Sequence, residues 1–195
     1  MKNKTLVVIY SIGLVLLFSS LFFDSKIITS MNSIKNPVLD FGFGAIEHIG
    51  SVIIILILMT TLFLWEEKKR EWIPTLWLGF ALAIVLTIVI KLLIMRERPF
   101  DAAFWPFFWI KDYSFPSMHT AIAFSALPVL DKEYPMFKWA WLIIAVFVGL
   151  SRVYLGVHYL SDVLFGAMLG FACGSLFVYI EETKKVFRKW KIFSK

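Results

Sequence analysis

The chain has little of what a water-soluble or disulfide-stabilised protein is built from. One cysteine, Cys173, occurs among 195 residues, so no disulfide can form within the chain and no cysteine cluster can bind a metal. Charged residues make up 17% of the sequence, below the ~25% of soluble domains, while hydrophobic residues reach 59% against roughly 45–50%. The sequence also shows no internal repeat. Lipid is therefore predicted to be the main solvent of this chain.

Long apolar runs predict how the chain crosses the bilayer, since a spanning helix needs about 20 apolar residues. Six runs approach that length, at 5–23, 49–65, 72–95, 117–130, 139–154 and 158–179. The mixed segment 24–48 is predicted to be a loop with a short amphipathic helix at the interface. We predict an all-α, polytopic membrane protein with six transmembrane helices in one bundle, forming a single domain over residues 1–195.

The basic residues predict the orientation, because cytoplasmic flanks are enriched in Lys and Arg. With six spans both termini lie on one side, and 13 of the 20 basic residues fall there against 7 on the other. A net charge of +6 would suggest nucleic acid in a soluble protein, but here the charges cluster at the ends of apolar runs. Both termini are therefore predicted to be cytoplasmic, with no nucleic-acid partner.

Unusual polar residues collect on the opposite, non-cytoplasmic face, beginning at the end of the third run. Lys91 and Arg98 are seven residues apart, which predicts one face of the third helix and a common anion within reach. A snorkelling pair that anchors a helix end is the alternative. The neighbouring Arg96 and Glu97 are expected to face water or head groups.

The second polar segment is 116–119, which is predicted to open the fourth helix. Ser117 is placed to act as the N-cap, so its hydroxyl, the amides of Met118 and His119 and the helix dipole would form an anion site. An ordinary helix cap is the alternative. A histidine beside such a site suits proton donation.

The third segment holds Ser151, Arg152, His158 and Asp162. Because His158 and Asp162 are four apart, the carboxylate could accept a hydrogen bond from one ring nitrogen and leave the other as a nucleophile. A capping histidine with a helical partner is the alternative. An ionisable pair inside an apolar stretch is costly, however, and by default indicates function.

Together the three segments supply three cations, two histidines, one carboxylate and a helix start. This set suits a phosphate dianion, because Arg98 and Arg152 can grip oxygens bidentately while Lys91 adds a point charge. No group of His, Asp and Glu has the spacing of a metal site, so catalysis is expected to use no metal and no other cofactor.

The pattern resembles the signature of the type 2 phosphatidic acid phosphatase superfamily. Its three parts correspond here to Lys91 with Arg98 and Pro99, to Pro116, Ser117, Met118 and His119, and to Ser151 and Arg152 with His158 and Asp162. The spacing within the first and third parts matches fully. Met118 stands where the family usually has glycine, which leaves open the size of the leaving group.

The resemblance implies a two-step displacement. His158 would attack phosphorus to give a phosphohistidine, Asp162 would orient it, and His119 would protonate the leaving oxygen and later activate water. The residues implied to bind the phosphoryl oxygens are Lys91, Arg98, Ser117, Arg152 and, through its amide, Met118.

The implied substrate is a membrane lipid phosphate or diphosphate at the outer face of the cell membrane. Undecaprenyl pyrophosphate is favoured, and phosphatidylglycerol phosphate or phosphatidate are the alternatives. A catalytically silent lipid-binding or transport protein is the competing interpretation. The aromatic segment 104–109 would be either a lid or an interfacial anchor. No obligate protein partner is expected.

Overall fold

The computed structural model describes residues 3–47, 58, 60–62, 65, 72–100, 103–104 and 111–187. Within these residues the helices are α1 (Asn3–Ser33), α2 (Pro37–Glu47), α3 (Ile73–Ile94), α4 (Met118–Ser125), α5 (Leu127–Glu133), α6 (Phe137–Tyr154) and α7 (Leu160–Lys184). Two two-residue strands, β1 (Ala103–Phe104) and β2 (Lys111–Asp112), pair antiparallel between α3 and α4. The all-α class is confirmed, with this small strand pair as an addition.

Four of the described helices are long and apolar enough to cross a bilayer, at Leu6–Ser33, Ile73–Ile94, Phe137–Tyr154 and Leu160–Lys184. The predicted second span, 49–65, lies largely outside the described residues. The predicted fourth span, 117–130, is divided at Ala126 into α4 and α5. Pro128, in the first turn of α5, has no amide hydrogen to continue a helical ladder, which accounts for the break.

The predicted boundary of the first span is wrong. The apolar run predicts an end of that span at Phe23, but α1 continues to Ser33 and carries Asp24 inside it. A charged residue interrupts an apolar run in the sequence but need not end the helix, because partners elsewhere in the fold can offset the free-energy cost of burying its charge. Helix α2 then occupies part of the segment predicted to hold a short interfacial helix.

Helix α7 lies at the centre of the described fold and contacts α1, α3, α4, α5 and α6. The largest buried cluster joins α3 to α4 and α5, and includes Trp72, Leu76, Phe80, Ile122 and Val129. A smaller one joins α1, α6 and α7 through Ile28, Val153 and Val163. Large apolar side chains such as those of Phe22 and Leu93 point outward and are 86% and 77% exposed. Such surfaces suit contact with lipid tails.

Three glycines spaced four residues apart on α7 let α4 approach closely. A Cβ built on Gly166, Gly170 or Gly174 would lie 2.6, 1.9 or 2.1 Å from the carbonyl oxygen of residue 117, 121 or 125. These carbonyls are themselves spaced four apart along α4, so the backbones of the two helices run against each other. Small residues at this spacing are typical of helix contacts inside membranes.

Gly170→Ala is expected to destabilise the protein, because the new methyl group would overlap the Ala121 carbonyl and force α4 away from α7. Overpacking of this kind costs about 1–3 kcal/mol. Thermal unfolding in detergent would measure the loss. Gly42→Ala on α2 is the matched control, since its Cβ would meet nothing within 4 Å. Equal stability of the two variants would contradict the close contact of α4 with α7.

Candidate active site

Lys91 and Arg98 come together, but not on one face of a helix as predicted. Helix α3 ends at Ile94 because Met95 adopts a left-handed conformation (φ 52°) and its amide donates to the Lys91 carbonyl. Arg98 therefore lies beyond the helix, and the two cations meet through the chain that follows it.

Asp112 is the group that joins these two cations. Its carboxylate accepts hydrogen bonds from Lys91 Nζ at 2.6 Å and Arg98 Nη2 at 2.5 Å, and its carbonyl accepts one from Arg98 Nε at 2.9 Å. Lys91, which is 3% exposed, also donates to the carbonyl of Tyr113. Sequence analysis missed Asp112, since it lies 14 residues after Arg98 on a strand that no periodicity indicates.

Ser117 stands at the N-cap position of α4, as predicted, but its side chain does not cap the helix. Its hydroxyl pairs with Thr120 Oγ1 at 3.0 Å, and its amide donates to the Asp162 carbonyl at 3.1 Å. The amide bond fixes the start of α4 against the start of α7. The next amides, of Met118 and His119, belong to the first helical turn, where no intrahelical acceptor exists.

The side chain of Met118 has an apolar place in the fold. It packs against the α3–α4–α5 cluster that contains Trp72 and Ile122. The methionine at this position therefore contributes to the core while its amide remains at the helix start. His119, next in the chain, is close enough to Arg98 and Arg152 for their positive charges to act on it.

A tight turn between α6 and α7 brings Arg152 and His158 together. The Arg152 carbonyl accepts hydrogen bonds from the amides of Val157 and His158, both at 3.2 Å. Gly156 allows this turn with φ 76°, and a Cβ there would lie 2.2 Å from the Phe100 ring. Arg152 is 3% exposed, and its Nε donates to Ser151 Oγ at 3.3 Å.

His158 and Asp162 face each other across the start of α7. His158 precedes the helix, and its Nδ1 lies 3.6 Å from Asp162 Oδ2. Ser114 Oγ donates to the same carboxylate oxygen and lies 3.5 Å from His158 Nδ1. The amide of Tyr159 also donates to Asp162 Oδ2, at 2.8 Å. Because Nδ1 is turned toward this group, Nε2 is the ring nitrogen left for chemistry.

Burial sets the protonation state of His158. The residue is 2% exposed, and this loss of hydration lowers its pKa. The carboxylate of Asp162 favours the charged imidazole and opposes the effect, but burial dominates and the pKa falls to about 4. At neutral pH the imidazole is therefore uncharged, and an uncharged ring nitrogen retains the lone pair that a nucleophile needs.

The expectation that Arg96 faces water or head groups is wrong. Its Nη1 donates to Asp162 Oδ1 at 2.7 Å and to Ser161 Oγ at 2.6 Å, while its Nη2 donates to Asp24 Oδ2 at 2.8 Å. Its guanidinium carbon lies 4.0 Å from the centre of the Tyr159 ring. Arg96 thus holds the second oxygen of the carboxylate that faces His158.

The structure gathers the sequence-predicted residues around the beginnings of α4 and α7 and the end of α3. It adds four residues that sequence analysis did not assign to the site: Asp24, Arg96, Asp112 and Ser114. Residues 105–109 of the aromatic segment 104–109 lie outside the described residues, so the role of the segment as lid or anchor stays a prediction.

Comparison with known families identifies the fold. The model of the PAP2 superfamily matches residues 72–185, which include every segment of the site except Asp24. The chain belongs to the PAP2 superfamily. The family resemblance stated from the sequence is confirmed, and it supports a hydrolase that acts on phosphoric esters.

Individual relatives agree with this assignment. Undecaprenyl-diphosphatase of Sulfolobus acidocaldarius is 38% identical over 132 residues, which cover 64% of this chain and 63% of that protein, just under two thirds of its length. Phosphatidylglycerophosphatase B of Bacillus subtilis is 34% identical over 182 residues, covering 85% and 87%. The crystal structure of the PAP2-type phosphatidylglycerolphosphate phosphatase from Bacillus subtilis superimposes with a TM-score of 0.70 at 32% identity, covering 93% of this chain and 98% of that one.

Asp112→Asn is expected to strengthen oxyanion binding, because the Asp112 carboxylate competes with an incoming anion for Lys91 and Arg98. Vanadate, an analogue of phosphate, should bind about tenfold more tightly, equivalent to ~1.4 kcal/mol. Tryptophan fluorescence titration in detergent would measure the affinity. Asp131→Asn, whose carboxylate pairs with Lys138, is the matched control. Weaker vanadate binding by Asp112→Asn would mean that the carboxylate organises the cations instead of competing.

Proposed function

We propose that this chain is a membrane lipid phosphatase that hydrolyses a phosphate ester or diphosphate through a phosphohistidine on His158. The observation that carries the proposal is the position of one buried imidazole whose Nδ1 faces Asp162 and Ser114. Lys91 and Arg98 are close enough to act on this imidazole electrostatically, and Arg152 belongs to the turn that holds it. That combination favours nucleophilic attack on a phosphoryl group.

In the proposed first step, His158 Nε2 forms a bond to the terminal phosphorus as the bond from that phosphorus to the leaving oxygen breaks. The leaving oxygen belongs to the lipid phosphate when the substrate is a diphosphate and to the lipid alcohol when it is a monoester. His119, protonated in the substrate complex, gives one proton to that leaving oxygen and becomes neutral. In the second step His119 takes a proton from water, the water oxygen bonds to phosphorus, and the bond to Nε2 breaks. Inorganic phosphate leaves and both histidines return to their starting states.

The negative charge that moves during both steps needs fixed positive partners. We assign this role to Lys91, Arg98 and Arg152, together with the Ser117 hydroxyl and the Met118 amide at the start of α4. Two of the cations already hold a carboxylate, that of Asp112, with Lys91 and Arg98 at 2.6 and 2.5 Å. A phosphoryl group of the substrate would take the place of this carboxylate.

A membrane position of the site favours a lipid substrate over a soluble phosphate. Lys91 belongs to the last turn of one candidate span, and His158 lies between two others. A mainly apolar groove between α1 and α7 is lined by residues such as Phe23, Ile27 and Leu160, the last of which is two residues after His158. We propose that the lipid tail lies along this groove while the phosphate reaches the cations.

Among lipids, we propose undecaprenyl pyrophosphate as the preferred substrate, and the relative named undecaprenyl-diphosphatase supports this choice. Phosphatidylglycerol phosphate is the second candidate, favoured by the relative and the crystal structure that match most of the chain. Phosphatidate is the third. A lipid-binding or transport protein without catalysis is the alternative class, distinguished by tight lipid binding without phosphate release.

The proposed topology completes the function. We propose six spans with α2 (Pro37–Glu47) as the interfacial helix between the first and the second, both termini in the cytoplasm and the site on the non-cytoplasmic side. The excess of Lys and Arg on the side of the termini supports this orientation. A site on that side would act on lipids of the outer leaflet.

The purified protein in detergent is expected to release inorganic phosphate from undecaprenyl pyrophosphate in the presence of EDTA, and faster than from phosphatidylglycerol phosphate or phosphatidate. His158→Ala should lower kcat on the order of a thousandfold or more, since the nucleophile is gone. Asp131→Asn is the control and should keep full activity. Undiminished release by His158→Ala would refute the mechanism, and release that stops with EDTA and returns with a divalent metal would refute metal independence.

A further inference from the structure

Asp24 is a charged residue in a helix that otherwise suits the bilayer. It lies within the candidate span Leu6–Ser33 of α1 and is 3% exposed. An ionised side chain at such a place is expensive unless it has partners, and it is by default a sign of function. Asp24 also lies outside the residues that the family model matches, 72–185, and outside all three sequence motifs.

The partners of Asp24 belong to the active site. Its Oδ1 accepts a hydrogen bond from the amide of Ser161 at 3.0 Å, and its Oδ2 accepts one from Arg96 Nη2 at 2.8 Å. The Ser161 hydroxyl also donates to Oδ2. Ser161 stands in the first turn of α7, directly before Asp162. A carboxylate from α1 thus satisfies an amide at the positive end of α7.

Arg96 connects Asp24 to the residue that faces His158. One guanidinium nitrogen donates to Asp24 and the other to Asp162 Oδ1 at 2.7 Å. The two oxygens of Asp162 consequently have separate partners, since Oδ1 receives Arg96 while Oδ2 receives Ser114 and Tyr159 and faces His158 Nδ1. A guanidinium shared between two carboxylates is held in one orientation by both.

We propose that Asp24 is a positioning residue for the phosphatase reaction, acting through Arg96 and Ser161 on Asp162. It also balances charge. The formal charges of Asp24, Asp162 and Arg96 sum to −1, and His158 gains positive charge when Nε2 bonds to phosphorus. With Asp24 present, Arg96 is shared between two carboxylates, so the negative charge of Asp162 remains available to stabilise the positive imidazole. Without it, Arg96 would neutralise Asp162 alone.

This inference rests on the proposed function and predicts a specific kinetic pattern for Asp24→Asn. The side chain keeps its size and loses its charge, so kcat should fall about 10- to 100-fold, since a displacement of about 1 Å at a reacting group can cost ~100-fold. KM should stay within about twofold, because none of the proposed phosphate ligands contacts Asp24. Asp40→Asn is the matched control: Asp40 bonds to the Tyr154 hydroxyl and is expected to retain activity.

A spectroscopic readout separates positioning from loss of folding. The chain has three histidines, so ¹⁵N signals of the imidazoles can be assigned with His48→Gln and His119→Gln variants. Asp24→Asn is expected to shift the ring signals of His158, while Asp40→Asn leaves them unchanged. A variant with an unaltered His158 spectrum and unaltered kcat per folded molecule would overturn the inference, whatever its thermal stability.

A double substitution tests the coupling directly. Arg96→Gln leaves two carboxylates near each other without their shared cation and should be more damaging than Asp24→Asn. Adding Asp24→Asn to Arg96→Gln removes one of those charges, so the double variant should be no less active than Arg96→Gln alone. If the fold-losses of kcat in the two single variants multiply in the double variant, the arrangement in which both carboxylates share Arg96 is contradicted. If His158→Ala is inactive and both tests fail, only the role of Asp24 falls; if His158→Ala is fully active, the proposed function falls first.

Discussion

The fully buried carboxylate of Asp162 accepts hydrogen bonds from three separate parts of the chain, and the geometry of the site follows from this. Arg96 beyond α3 donates to one oxygen, while Ser114 before α4 and the amide of Tyr159 donate to the other. A charge removed from water costs several kcal/mol unless it is surrounded in this way. Because the partners come from different elements, each of those elements must be in place before His158 can be oriented.

Backbone contact between α4 and α7 is what allows such a dense arrangement. Gly166, Gly170 and Gly174 bring α7 against the α4 carbonyls, and the Ser117 amide then reaches the Asp162 carbonyl at 3.1 Å. The start of α4, with its unpaired amide positions, consequently stands beside the start of α7. Helices inside a membrane have little hydrophobic drive to associate with each other, so close packing and polar contacts must hold this pair together.

Sequence patterns could predict the family, the helical class and the residues of the three motifs, because these depend on short-range spacing and on residue chemistry. They could not predict the roles of Asp24 and Asp112, because the partners of these residues are distant in the chain. Ser161 lies 137 residues from Asp24, and Lys91 lies 21 residues from Asp112. The position of Arg98 was wrong since Met95 ends α3 in a left-handed conformation. The α7 glycines were readable as a packing motif, whereas the role of Arg96 depends on long-range pairing alone.

The most direct test of the account is whether phosphate becomes bound to His158 during turnover. Enzyme mixed with undecaprenyl pyrophosphate carrying ³²P in its terminal phosphate would be denatured within milliseconds and the protein digested. The account predicts label on the peptide that contains His158, stable to base and released by acid, and its absence from His158→Ala. Label on a different residue, or turnover of the wild type with no labelled protein at any time, would contradict it.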